Sequence, residues 1–258
     1  MFGKTAGFKI CDAFGIPIIA DFTSLFLALW LVLQLGVPLG VPCAILLGVS
    51  IVVHELAHSL TSRAFGCRIQ EIRLSILGGC ASGEIPRGAW KEFLVAAAGP
   101  LSSLALGFGM FFFLYGSGVE IESRWLYSVL NYFWIMNLMM GLFNLLPGFP
   151  MDGGRMFRSA MRAFMSRERA TYTAMAVGRV AAIALVVLPI FGIDSIWIIP
   201  IGGDVVFRVL IAFMIWREGY REYLLAKMES SWDYSDFRAR VSPPPYGGKE
   251  DDVDVRKN

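Results

Sequence analysis

Residues 22–60 read FTSLFLALWLVLQLGVPLGVPCAILLGVSIVVHELAHSL. From Phe22 to Val53 this stretch holds 32 residues without an Asp, Glu, Lys, Arg or His. About 18 uncharged apolar residues already read as a membrane span. One helix of this length would reach about 48 Å, against a hydrocarbon core of about 30 Å. The run therefore has to break, and Val37-Pro38-Leu39-Gly40-Val41-Pro42 supplies the helix-ending residues. Two spans are predicted, about 20–37 and 42–62. The second reaches full length only by taking in His54, Glu55 and His58.

The same character extends outward. Phe93–Val119 and Trp125–Met151 are uncharged runs of 27 residues each. Of all 258 residues 56% are hydrophobic and 17% charged, against about 25% charged in a soluble domain. This excludes a soluble enzyme, a disordered chain and a nucleic-acid binder with a basic patch. The net charge of +2 names no acidic partner. The expected fold is an all-α polytopic membrane protein of about six transmembrane helices, at 20–37, 42–62, 93–115, 125–147, 170–191 and 195–216. Residues 67–92 are too short and glycine-rich for a span; a small β-hairpin or re-entrant loop buried against protein is expected there. Residues 1–216 form the membrane domain. Residues 217–258 read as a charged, aromatic amphipathic segment on the membrane surface, followed by a disordered tail.

Positive charge orients the layout. Segments 1–20, 63–92, 152–169 and 217–258 hold two, five, five and eight Lys/Arg, whereas the loops on the other side hold Arg124 alone. The positive-inside rule puts both termini in the cytoplasm. Arg179 and Arg208 fall within predicted spans. Asp204 and Arg208, four apart, read as a local ion pair near a span end rather than a polar pathway. The four cysteines form no CxxC pair, so neither a disulfide framework nor a thiolate zinc knot is indicated.

The chain has only two histidines, His54 and His58, in His54-Glu55-Leu56-Ala57-His58. Four residues is a little over one helical turn, so both imidazoles share a face and can bind one metal ion. Glu55 can reach a water held there. This is the HExxH arrangement of zinc hydrolases, in which zinc lowers the pKa of its water to about 7. An ionisable group inside a span is costly, about 2.5–3.5 kcal/mol on insertion scales, and is functional by default. An ion path of a transporter is the competing use. Two histidines leave zinc short of a ligand, and with no third histidine a carboxylate or thiolate has to serve. Asp152 stands out in Asn144-Leu-Leu-Pro-Gly-Phe-Pro-Met-Asp-Gly-Gly154, where Pro147 and Pro150 break the helix. The plainer alternative is a Pro-Gly helix exit with Asp152 capping the next helix.

HELAH at 54–58, followed by Asn144-x-x-Pro147-x-x-Pro150-x-Asp152-Gly153, resembles the site-2 protease family of intramembrane zinc metalloproteases. The order and separation of the two motifs agree, as do Gly78-Gly79 and Ala98-Gly99-Pro100. The resemblance spans roughly residues 14–190. It implies one zinc ion held by His54, His58 and Asp152, with Glu55 as catalytic base. It also implies that Asn144 helps hold substrate or the oxyanion. The strand before Gly79, with Ile76, Gly78 and Gly79, would form the edge that pairs with an unwound substrate segment. The implied substrate is a single-pass membrane protein cut within the bilayer. The loop 116–124 is too short for a PDZ domain and the 42-residue tail for a tandem CBS pair. Substrate selection is then absent or supplied by a regulator in trans, and the compact form favours a prokaryotic plasma membrane. A proteolytically inactive client-binding relative is the remaining alternative, against which the intact HExxH and Asp152 both speak.

Overall fold

The computed structural model describes residues 7–75, 78–84, 86, 88–188 and 205–231. In chain order the elements are β1 (Gly7–Ala13), β2 (Ile16–Asp21), α1 (Ser24–Leu35), α2 (Val37–Ala64), β3 (Ile69–Ser75), β4 (Gly78–Gly83), α3 (Ala89–Gly116), α4 (Arg124–Asn144), α5 (Asp152–Met161), α6 (Arg167–Val187) and α7 (Val205–Ser231). Four helices, α2, α3, α4 and α6, are long and apolar enough to cross a membrane. The chain is an integral membrane protein, mostly helical, with a small sheet.

The expected break in the first apolar run occurs at Gly36, whose φ of 75° no β-branched residue would tolerate. α2 restarts at once with Pro38 in its first turn and absorbs Pro42 inside the helix. The consequence is an uneven division. α1 keeps only 12 residues, about 18 Å, and does not reach across a 30 Å core alone, whereas α2 takes 28. At the other end, α7 overlaps the predicted sixth span from Val205 and runs unbroken through residue 216 to Ser231, where the sequence suggested a domain boundary. Asp204, Ile76 and the tail beyond Ser231 lie outside the described residues.

The sheet is larger than the expected hairpin. Its order is β1-β2-β3-β4, with β1–β2 and β3–β4 antiparallel and β2–β3 parallel. Residues 7–21, read from sequence as a plain cytoplasmic segment, form its first two strands. The turn that joins them has Phe14 and Gly15 both at positive φ, 51° and 74°, the two-residue geometry that suits a hairpin's twist. Ile16, Ile18, Ala20, Ile72 and Leu74 form the buried face of the sheet, and Ile51, Val52 and Leu56 of α2 pack against it. On the other face Arg73 reaches Asp21 Oδ1 at 2.9 Å and Glu71 Oε1 at 2.8 Å. The bond to Glu71, with Asp21 beside it, raises the Arg73 pKa above its ordinary value.

One expectation needs correction. The strand before Gly79 is β3, which is flanked by β2 on one side and β4 on the other, so it is not an edge. The edge is β4, which contains Gly78 and Gly79 itself. The reason is the added hairpin, which occupies the flank of β3 that would otherwise be open.

Candidate metal centre

α2 is the axis of the site. Its sheet-facing residues are Ile51, Val52, Leu56 and Glu55, and its other side carries His54 and His58 toward α3. His54, His58 and Asp152 are 4%, 7% and 8% exposed. His54 Nε2 lies 3.2 Å from His58 Nε2, and Asp152 Oδ2 lies 3.2 Å from the first and 3.1 Å from the second. Ligand atoms about 2.0–2.1 Å from a tetrahedral zinc ion are separated by about 3.3–3.4 Å. The triangle thus has the size of one face of a zinc coordination tetrahedron.

The hydrogen bonds around the rings say what the triangle can hold. His58 Nδ1–H donates to the Val95 carbonyl at 2.6 Å. His54 Nδ1 lies 2.9 Å from Ser103 Oγ, and that hydroxyl donates to the Gly99 carbonyl at 3.3 Å. Ser103 therefore accepts from His54, and both rings carry their proton on Nδ1. Both Nε2 lone pairs then converge on a carboxylate with no proton among them. Three electron-rich atoms at this spacing repel one another unless a cation binds all three. The residues therefore fit a small divalent metal with two neutral imidazoles and one carboxylate as ligands, each ring oriented from behind.

Two glycines make the approach possible. A Cβ on Gly99 of α3 would overlap His58 Nε2 and lie 2.7 Å from His54 Nε2. A Cβ on Gly79 of β4 would lie 2.7 Å from Glu55 Cδ and 2.9 Å from its Oε1. Gly79 and Glu55 are thus brought into contact. Gly78 is the next residue along the same edge strand and pairs with Ser75.

Asp152 is the first residue of α5, so the sequence alternatives of ligand and helix start coincide in one residue. α5 lies in a segment read as a cytoplasmic loop, and it aims Asp152 at α2. The turn before it holds buried Phe149 and Met151. Gly153 and Gly154 let it fold tightly, since a Cβ on either would collide with backbone of residues 145–149. Asn144 ends α4, and its amide nitrogen donates to the Met140 carbonyl at 2.9 Å, back along its own helix rather than into the triangle. Sequence reasoning missed Ser103 and the Val95 carbonyl. The signal was available, because Val95, Gly99 and Ser103 recur every four residues on one face of α3.

The sequence profile described as peptidase family M50 matches residues 42–125 and 118–188. The chain belongs to peptidase family M50. Zinc metalloprotease MJ0392 of Methanocaldococcus jannaschii is 35% identical over 195 residues, which are 75% of this chain and 53% of that protein. Rip3 of Mycobacterium tuberculosis is 36% identical over 169 residues, 64% of this chain and 41% of the relative. The chain thus spans about half or less of these relatives. Among solved structures, the site-2 protease from Methanocaldococcus jannaschii superposes with a TM-score of 0.58 at 26% identity, over 84% of this chain and 95% of that one. This M50 chain shares with it the expected mostly helical fold.

Proposed function

We propose that the chain is an intramembrane zinc metalloprotease that hydrolyses a peptide bond in or near the membrane span of a single-pass protein. The observation that carries this reading is the triangle of His54, His58 and Asp152 beside Glu55, set among membrane-crossing helices and next to an open strand edge. The relatives named zinc metalloproteases support it.

Depth follows from helix geometry. Ala64 lies ten residues beyond His54 on α2, and Ala89 ten residues before Gly99 on α3. Both distances are about 15 Å. The site therefore sits about 15 Å from the ends of α2 and α3 that face the basic 63–92 segment. Each helix is about 42 Å long and overhangs a 30 Å core by about 6 Å per end. The site is then roughly 9 Å inside the bilayer on the cytoplasmic side, close enough for water to enter. Arg63 donates to the Phe14 carbonyl at 2.6 Å, which keeps the first hairpin on that same side and agrees with cytoplasmic termini.

Zinc held by His54, His58 and Asp152 supplies Lewis-acid activation of water and of the scissile carbonyl. The chain's own residues do the rest. Helical amides are sterically shielded, so substrate is bound extended, as a further strand on the free edge of β4 along Gly78 and Gly79. That register carries the backbone past Glu55. Glu55 takes a proton from the attacking water and returns it to the leaving amine. Asn144 assists by contacting the substrate carbonyl, for which its amide has to release Met140.

The test is cleavage by purified protein of a panel of single-span substrates, with and without a zinc chelator, with products sized by mass. Glu55→Gln should keep stoichiometric zinc and lose cleavage. Normal proteolysis by that variant, or by metal-free protein, refutes the proposal.

A further inference from the structure

One ionic cluster plays no part in the chemistry above. Arg158 of α5 is 3% exposed, in a chain where charge is scarce. Its Nε donates to Glu92 Oε1 of α3 at 3.1 Å, its second terminal nitrogen also bonds Glu92, and its first donates to Glu222 Oε2 of α7 at 2.8 Å. Arg162 donates to Glu92 Oε2 at 3.0 Å. Three of the five N–H donors of the Arg158 guanidinium are taken by two carboxylates on two different helices. Its plane also lies over the Phe149 ring, 5.1 Å from the centroid, in the turn that leads into Asp152.

α5 is a ten-residue helix, too short to be stable alone, so its position is set by what it touches. Asp152, Arg155 and Arg158 stand at positions i, i+3 and i+6 along it. Arg155 already lies 3.7 Å from Asp152 Oδ1. The arginines 155, 158 and 162 are balanced by Glu92, Glu222 and Asp152. If Glu222 is neutralised, three cations face one remaining structural carboxylate. The surplus positive charge then draws on Asp152 and opposes a divalent cation at the same place.

We propose that Glu222 is a positioning residue for the metal site, acting through Arg158, so that α7 controls how firmly Asp152 is presented to the metal. The inference rests on Asp152 being a zinc ligand. Glu222 is the accessible arm of the cluster, its side chain 39% exposed against 3% for Glu92 and Arg158. Whatever displaces α7 from α6 therefore reaches the metal without touching it.

The experiment measures zinc affinity by competition with a chromogenic chelator, and the visible d–d spectrum after substitution with Co2+, on the full-length detergent-solubilised protein. Glu222→Gln should weaken zinc about tenfold or more, the range usual for residues behind a ligand, and lower the intensity of the tetrahedral Co2+ band. Glu222→Asp should restore most of both. Glu229→Gln is the control, because Glu229 sits two turns further along α7 in an exposed pair with Arg167 at 2.9 Å, and it should change neither. Unaltered affinity and spectrum in Glu222→Gln overturn the proposal, as does an equal loss in Glu229→Gln, which would assign the effect to helix packing. Asp152→Asn separates the two levels. If it too leaves zinc affinity unchanged, the ligand assignment fails; if it alone weakens zinc, only the role of Glu222 fails.

Discussion

Replacing Gly99 by alanine adds one methyl group on the metal-facing side of the two imidazoles, and the structure says what that methyl meets. It would lie 2.5 Å from His58 Cε1 and 2.7 Å from His54 Nε2, where ordinary contact needs about 3.5 Å. Both imidazoles have to retreat by about 1 Å. Metal–ligand distances tolerate about 0.2 Å, so neither ring can retreat and still ligate. The backs of the rings are also fixed, by Val95 and Ser103 on the same helix as the new methyl. The expected result is at least a hundredfold loss of zinc affinity, about 2.7 kcal/mol. The effect on the helix itself has the opposite sign, since alanine in place of glycine in a helix interior favours the helix by about 0.5–1 kcal/mol. In the metal-free protein the same clash costs about 1–3 kcal/mol, so the apo unfolding temperature should fall modestly while zinc affinity, measured by chelator competition, falls at least a hundredfold. Wild-type zinc affinity in Gly99→Ala would refute the packing argument.

Three further outcomes follow from the same geometry. Glu55→Gln should bind zinc normally and lose cleavage by about 10²–10⁴-fold, the usual contribution of a positioned acid–base group, read by product mass and metal content together. Gly79→Ala pushes the Glu55 carboxylate with a methyl 2.7 Å from Cδ, so it should lower kcat while leaving zinc stoichiometry unchanged. Ser103→Ala removes the acceptor behind His54 and should weaken zinc by about 10–100-fold with little change in unfolding temperature.

The parts of this protein that were legible in the sequence are those governed by local rules. Helices α2, α3 and α4 announce themselves through uncharged runs, and α6 through an apolar run interrupted by Arg179, because each has to satisfy its own backbone in lipid. The spacing of His54 and His58 reads directly as one helical face. The sheet was only half legible. Ile69–Ser75 has alternation, but in Gly7–Asp21 the polar Lys9 and Asp12 and the strand-disfavouring Pro17 obscure it. The Phe14-Gly15 pair between two alternating apolar segments was the missed signal, since one glycine at the second turn position is enough when Phe14 also accepts positive φ. Strand order could not be read at all. The parallel pairing of Ile18 with Ile72 depends on helices α1 and α2 returning the chain across the sheet. That non-local fact decided which strand became the edge. α5 was legible only as an alternative start at Asp152, because Gly153 and Gly154 weaken helix propensity, whereas its place is fixed by tertiary packing and by Arg158.

The HExxH spacing acquires a sharper meaning from this arrangement. Successive residues on a helix are about 100° apart, so His54 and Glu55 cannot share a face. In a soluble metalloprotease both can look into one open cleft. Here α2 is enclosed, with the sheet on one side and α3 on the other, and the two residues address different neighbours. Each neighbour yields to a glycine, Gly79 for the carboxylate and Gly99 for the imidazoles. The candidate metal ligands are thereby sealed among helices, with Asp152 delivered from α5, while Glu55 lies beside β4. On the proposed reading, a peptide extended along β4 would meet Glu55 before the histidines. A helical segment, with its amides wrapped inward and no free edge to pair, has no comparable route. On the proposed reading, a preference for unwound substrate would come from the separation of Glu55 and the histidines around one helix, and cleavage should tolerate changes in the substrate's side chains but not a change that stiffens its helix.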